Sequence, residues 1–584
     1  MMYKLSSYLL CALLPLSALS QTPVREDREP EAKTGFEIKK TVIGQKYMVA
    51  AANPYAVKAG QAMLEQGGSA VDAAIAVQLV LTLVEPQSSG IGGGAFILHY
   101  DQQKNTLITY DGRETAPATA TPELFLDNNG KAVPWIKAVV GGRSVGVPGV
   151  LAALAKAHAK DGKLPWASLF KPAIELAEQG FVVSPRLALL LKKQFNPGVH
   201  QLAVTKDYFF PNGEALKAGT IKKNPELAAF YRTLAKEGIS AFYQGDNAKK
   251  LAETVQNSAV APGLLTEQDV NNYQAKLREP VCAPYHQYKV CSMGPPSSGG
   301  IAVLEMLSLL EQKNLKQYQP NDVMALHYFT QASRLAFADR DVYLGDPDFV
   351  SLDVMRLLDK EYINTRAKLI TDKDMGEASV GEPNIKLAFA KDDAYEMPST
   401  SHMSIIDAKG NAISMTTSIE MAFGSALMTN GYLLNNQLTD FALSPHKNGK
   451  PLINRVEGNK RPRSSMSPMM VFNADGSLRL IVGSPGGSRI INYVAQTIIG
   501  VLDWQLSLQQ AIDLPKITNR NKITSLEKDT ALVDAKTTFE QLGHTVQMVD
   551  LNSGLHGIEV INGKYYGGAD PRREGIVLSD LTTH

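Results

Sequence analysis

The segment Ala70 to Val84, AVDAAIAVQLVLTLV, constrains the fold more than any other stretch of the chain. With the preceding PYAVKAGQAMLEQ it reads as two helices broken at Gly67-Gly68. The second helix is apolar almost all round, so it belongs inside a larger body. It is short for a membrane span, and Asp72 and Gln78 argue against one. AFILHYD and NTLITYDGRE follow as paired strands. Residues 147 to 390 are mostly helical by pattern. From 400 on, strands return at 403–407, 411–417, 431–435, 468–473 and 478–482, with a helix at roughly 489–503. No Ser/Gly-rich linker separates these parts. Strands at both ends with helices between predict one interwoven α+β body.

The chain has 584 residues, enough by length alone for roughly two to four domains. Its 59 basic residues balance 58 acidic ones, which gives no electrostatic reason to expect a nucleic acid or an anionic membrane as partner. Near the start, Lys4 precedes the apolar run YLLCALLPLSALS, and Ala18 and Ser20 supply small residues before a signal-peptidase cut after Ser20. Residues 1–20 are thus expected to be a signal peptide and residues 21 to about 40 a flexible polar leader, for a periplasmic or secreted protein. After such cleavage Cys282 and Cys291 remain, flanking APYHQYK in a predicted hairpin. An oxidising compartment allows a cross-strand disulfide between them, and two unpaired thiols are the alternative.

Several chemistries are disfavoured by the pattern. The ten histidines are scattered, with neither HExxH nor a Cys/His cluster, so no metal is expected. DRDVYLGDPDFV (339–350) has its glycine at the seventh position of a calcium loop, and Val350 stands where the bidentate Glu belongs. GIGGGAF (90–96) lacks a dinucleotide or phosphate-loop spacing. GRSVG (142–146) has the spacing of a nucleophile elbow around Ser144. Pro148, however, predicts a helix start near 147 rather than at the serine. VGSPGGSRIINYV (482–494) is more suggestive: a strand enters a glycine turn, then a helix, and the turn's N–H groups can face an oxyanion.

The stretch EMPSTSHMSIIDAKGNAIS (396–414) runs from a loop into a hairpin that opens on Thr400, Ser401 and His402. TSHMSIIDAKGNAIS, GYLLNNQLTDF (431–441), KRPRSSMSPMMV (460–471) and GSPGGSR (483–489), in this order, resemble the γ-glutamyltransferase (glutathione hydrolase) family of N-terminal-nucleophile hydrolases. SSGIGGGAF, YDGRETAP (110–117), PPSSGG (295–300) and DRDVYLGDP match as well, and the resemblance spans residue 40 onward. It implies an αββα four-layer sandwich made as one inactive precursor. The precursor cuts itself between Ser399 and Thr400 into a large subunit (21–399) and a small one (400–584) that stay together. Thr400 would then carry both a hydroxyl nucleophile and a free α-amine, whose reference pKa of about 7.7–8.0 suits a base near neutrality.

By the same resemblance Arg113 would clamp the α-carboxylate of a γ-glutamyl head as a fork, with Ser464 and Ser465 donating to it. Asp440, Gln437 and Glu420 would hold its α-ammonium. Gly486 and Gly487 would stabilise the oxyanion, and Ser418 would position Thr400. No cofactor is implied; the partners are glutathione or another γ-glutamyl compound, and water or an amino acid or peptide as acceptor. Two positions depart from well-known members: Ser418 replaces a Thr, and Glu420 replaces an Asn. The stretch 444–462 lacks the aromatic residue that lids the pocket in some members. Two alternatives stay open: a cephalosporin or glutaryl acylase of the same superfamily, and a non-catalytic exported binding protein with this fold.

Overall fold

The computed structural model describes residues 34–582, apart from 387, 395 and 398. The signal-peptide segment and residues 21–33 of the expected leader lie outside the described residues. Two seven-stranded sheets dominate the fold. The first runs in the order Ile576–Ser579, Met48–Ala51, Ser401–Ile406, Ala412–Ser418, Gly94–Asp101, Thr106–Gly112, Lys276–Arg278. The second runs Val42–Gly44, Lys564–Ala569, His556–Ile561, Leu478–Gly483, Met469–Phe472, Tyr288–Ser292, Val281–Tyr285. Every neighbouring pair in both sheets is antiparallel. Each sheet takes strands from both sides of residue 400.

Strand alternation divides the core in two. Val49, Ala51, Ala95, Ile97, Met403, Ile405, Ile413 and Met415 face one apolar cluster, shared with the helices Pro54–Glu65, Ala70–Val84 and Val150–Asp161. Met48, Ala50, Phe96, Leu98, Ile406 and Ala412 face a second cluster, shared with the second sheet and the helices Gly299–Glu311, Val323–Tyr343 and Ile490–Leu502. Strands Met48–Ala51, Ser401–Ile406 and Ala412–Ser418 lie against strands of the second sheet.

All fifteen residues of Ala70–Val84 are buried. The helix touches Pro54–Glu65, Lys171–Gln179 and Val150–Asp161 on one side and the strands Ser401–Ile406 and Ala412–Ser418 on the other. That is why no polar face was needed. Asp72 closes a capping box with Ser69 and accepts from the Lys163 and Leu164 N–H groups at 3.0 Å.

Some boundaries differ from the sequence reading. The helix expected near 147 begins at Val150, because Val147 and Gly149 first donate N–H bonds to Thr115 and Gly93. The strand expected at 431–435 shrinks to Tyr432–Leu433. Asn435 instead spends its side-chain amide on the Gly92 and Gly146 carbonyls. Cys282 and Cys291 oppose one another across the hairpin and are joined by a disulfide at the edge of the second sheet.

Candidate active site

Thr400 directly precedes the strand Ser401–Ile406, at the end of the hairpin turned by Asp407 to Asn411. The Asp407 carboxylate accepts the Lys409 and Asn411 N–H groups and fixes that turn. The hairpin register sets Ser401 opposite Thr417, so Ser418 ends beside Thr400. The Thr400 hydroxyl donates to Ser418 Oγ at 3.3 Å. Ser418 in turn donates to the Ser399 carbonyl at 3.0 Å and accepts the Glu420 N–H at 2.8 Å. One hydroxyl therefore faces both the candidate nucleophile and the carbonyl that precedes it.

A small cavity of about 20 Å³ opens at this point. Thr400, Ser418, Arg113, Glu420, Gln437, Asp440, Ser464, Ser465 and Gly487 all line it. Gly486 is the adjoining residue of the turn and does not line the cavity. Gly487 lies so close to the segment before Thr400 that a Cβ on it would meet the Glu396 carbonyl oxygen at 2.6 Å. Its φ of +56° is also one that L side chains rarely adopt.

Arg113 is fully buried at the end of the strand Thr106–Gly112. Its Nε donates to the Pro462 carbonyl at 3.1 Å, and its Nη2 donates to the Arg463 carbonyl at 2.8 Å and to Asp440 Oδ2 at 2.6 Å. Arg113 and Asp440, assigned above to opposite ends of a zwitterion, are thus paired with each other in the uncut chain. Gln437 Nε2 also donates to Asp440 Oδ2, at 2.9 Å. Asp440 Oδ1 and Gln437 Oε1 are buried acceptors without a hydrogen-bond donor among the described residues. Such acceptors are costly to bury unless a donor answers them.

Burial pushes the Asp440 carboxyl up to about 6, although Arg113 opposes the rise. Glu420 is pushed well above the usual carboxylate range, by burial first and by repulsion from Asp440 second. Its backbone is left-handed, with φ of +76°. Its side chain accepts from the Met397 N–H at 3.0 Å and from Asn436 Nδ2 at 2.6 Å. Beneath Arg113, buried Glu114 is raised to about 8 by desolvation.

The sequence reading missed Glu396 and its partners. Glu396 lines the cavity, accepts from the Ser465 hydroxyl and pairs with Arg340. Burial alone would raise its carboxyl, but Arg340 and Arg463 outweigh that and hold it at about 2. Its place four residues before Thr400 was visible, but Arg340 lies 56 residues earlier. Ser144 belongs to none of this: it sits in the short turn Gly142–Ser144 with its hydroxyl 2.6 Å from the Val139 carbonyl. The acidic residues of 339–350 are answered by arginines, Asp339 by Arg366 and Asp348 by Arg278.

An α+β body with two antiparallel sheets and a strand-leading threonine beside a cavity defines a class of hydrolase-like enzymes. Residues 56–579 match the gamma-glutamyltranspeptidase family, and the chain belongs to it. It is 37% identical to the glutathione hydrolase proenzyme of Bacillus subtilis strain 168, over 97% of each chain. It is 35% identical to that of Escherichia coli K12, over 92% of this chain and 91% of the relative. Among solved structures, the cephalosporin acylase from Bacillus halodurans superposes with a TM-score of 0.82 at 27% identity, covering 94% of this chain and 98% of that one.

Proposed function

We propose that the protein is a self-cutting, exported γ-glutamyltransferase that cleaves the γ-glutamyl amide of glutathione and related compounds, as an αββα four-layer sandwich of two subunits. The cut begins when Thr400 Oγ attacks the Ser399 carbonyl. The C–N bond breaks, the hydroxyl proton ends on the Thr400 nitrogen, and water hydrolyses the resulting ester. Ser418 supports this step from both sides, taking the Thr400 hydrogen bond and giving its own to the carbonyl that becomes an oxyanion. The freed α-amine then serves as base for the same hydroxyl. In turnover Thr400 Oγ attacks the γ-carbonyl, the amine leaves with the proton, and water or an acceptor amine resolves the ester. Gly486 and Gly487 N–H groups answer the tetrahedral oxyanion. Export rests on the apolar run before residue 21. Among the described residues no helix is long and apolar enough to cross a membrane.

One observation carries the substrate reading. Besides Thr400 and Ser418, the cavity holds the Arg113 guanidinium, the Ser464 and Ser465 hydroxyls, the unanswered amide oxygen of Gln437 and three carboxyl groups, Glu420, Asp440 and, from the segment before the cut, Glu396. A γ-glutamyl head, with one carboxylate and one ammonium, complements that set. A glutaryl chain, which the acylase reading requires, brings no N–H to Asp440 Oδ1 or Gln437 Oε1 and no cation to Asp440 beyond Arg113. Initial rates with γ-glutamyl and glutaryl p-nitroanilides test this. A preference for the γ-glutamyl compound of at least about tenfold is expected, since an unanswered charge costs more than about 1.4 kcal/mol. Equal or faster glutaryl turnover would overturn the substrate and leave Thr400 in place; no turnover of either would favour a binding protein.

A further inference from the structure

The segment before the cut forms part of the wall of the cavity on which Thr400 opens. Glu396 and Met397 both line it. The Glu396 carboxylate sits on the Ser465 hydroxyl, and the Met397 N–H sits on Glu420. An anion at Ser465 and a donor at Glu420 are the two poles assigned above to the γ-glutamyl head. The chain before the cut thus occupies the head-group place with a mimic of that head.

Behind Glu396 stands Arg340, on the helix Val323–Tyr343, buried and not itself part of the cavity wall. Its guanidinium is fixed on three sides. Nε donates to Ser298 Oγ at 2.8 Å, Nη1 to Asp341 at 2.9 Å, and Nη2 to Ser465 Oγ at 2.8 Å. The remaining direction of Nη2 holds Glu396. A cut at 399 leaves residue 396 near a free chain end, tied on one side only. When its carboxylate leaves, Arg340 keeps its orientation and loses an anion, and an incompletely answered buried charge is costly. A carboxylate arriving on Ser465 comes within the reach of the same Nη2.

We propose that Arg340 is a specificity-determining residue, which binds the α-carboxylate of the substrate beside Ser465, and that Glu396 holds its place until the chain is cut. The inference rests on the γ-glutamyl reading of the cavity. It differs from that reading in giving the carboxylate two guanidinium groups, Arg113 and Arg340, on separate elements.

The test compares processed enzymes on two p-nitroanilides, γ-glutamyl and 4-aminobutyryl, the latter being the same head without its carboxylate. Arg340→Lys keeps the charge and loses the fork, so KM for the γ-glutamyl compound should rise at least about tenfold while kcat changes little. Rates on the 4-aminobutyryl compound, measured at high enzyme concentration, should stay within about twofold. Loss of both by the same factor assigns Arg340 a structural role and overturns the inference. Ser298→Ala removes only the hydroxyl on Arg340 Nε and should shift KM the same way, by less. If Arg340→Lys yields no folded, processed enzyme, Ser298→Ala decides, and an unchanged KM overturns the inference. Arg113→Lys is run in parallel. A carboxylate-selective loss there and none in Arg340→Lys sinks Arg340 alone. A wild type that does not prefer the γ-glutamyl over the 4-aminobutyryl compound sinks the head-group reading itself.

Discussion

The two sides of the Ser399–Thr400 bond are held in different ways. After it, Ser401–Ile406 is a fully buried strand in the middle of a sheet, with Met48–Ala51 on one edge and Ala412–Ser418 on the other. Before it, the described residues from 391 to 399 belong to no helix or strand. They are tied largely through side chains: Asp392 to Arg463 at 2.9 Å, Glu396 to Arg340, and the Ser399 hydroxyl to the Gln87 carbonyl at 2.6 Å. A backbone ladder on both edges opens only with the sheet, whereas side-chain ties open one at a time. The asymmetry suits a bond whose cleavage must keep one new end fixed and release the other.

The largest way to break this contrast is Thr400→Ala. It should leave one uncut, inactive chain, while wild-type protein runs as two bands and the smaller begins Thr-Ser-His-Met on N-terminal sequencing. A Thr400→Ala chain that still splits at 399/400 removes Thr400 from the cut. Next is Ser418→Ala, which deletes the hydroxyl shared by the two sides. The half-time of the uncut band should lengthen by about 10²–10³-fold, the usual loss for one oxyanion donor, and Ser418→Thr should largely restore it. Arg113→Lys makes no contact with the scissile bond, so its expected effect is on substrate recognition. It should lower kcat/KM by about 2–3 kcal/mol and leave cutting intact; wild-type kinetics would remove Arg113 from the site.

Asp440→Asn should shrink the γ-glutamyl over glutaryl preference to a few-fold, mainly by slowing the γ-glutamyl compound. The smallest effect is on pH. Asp440 is raised to about 6, so it is charged above that pH and neutral below it. Ammonium binding therefore needs the higher pH, and kcat/KM for the γ-glutamyl compound should fall further as pH drops through about 6, beyond the fall that protonation of the Thr400 α-amine imposes on every substrate. The glutaryl compound, without an ammonium, should lack that limb. An identical limb for both substrates would show that Asp440 does not meet the ammonium.

Much of this was legible where local rules agreed. Alternation and the Asp-Ala-Lys-Gly-Asn turn specified the hairpin after Thr400, and the apolar run Ala70–Val84 specified a covered helix. The strands His556–Ile561 and Lys564–Ala569 were not read, because glycines interrupt their apolar pattern. Gly567 is there for close approach: a Cβ would come within 2.4 Å of a Val577 methyl. In the site, single motifs gave the residues around Thr400, but pairings between distant positions stayed hidden. Arg113 with Asp440 spans 327 residues, and Arg340 with Glu396 spans 56. Neither Glu420's left-handed backbone nor its contact with Met397 has a sequence signal, since both follow from how the turn closes on the segment before the cut.

The strand order of the first sheet also dictates timing during synthesis. Met48–Ala51, which borders the strand that follows Thr400, is bordered on its other edge by Ile576–Ser579. Arg573, 173 residues beyond Thr400, donates to the Thr400 carbonyl at 3.4 Å. The surroundings of the threonine are therefore incomplete until the ribosome has added residue 579. A nascent chain halted before that point carries the scissile bond in full and lacks the sheet that presents it. On the proposed self-cutting, maturation waits for residue 579, and chains that stop before it should stay single and silent.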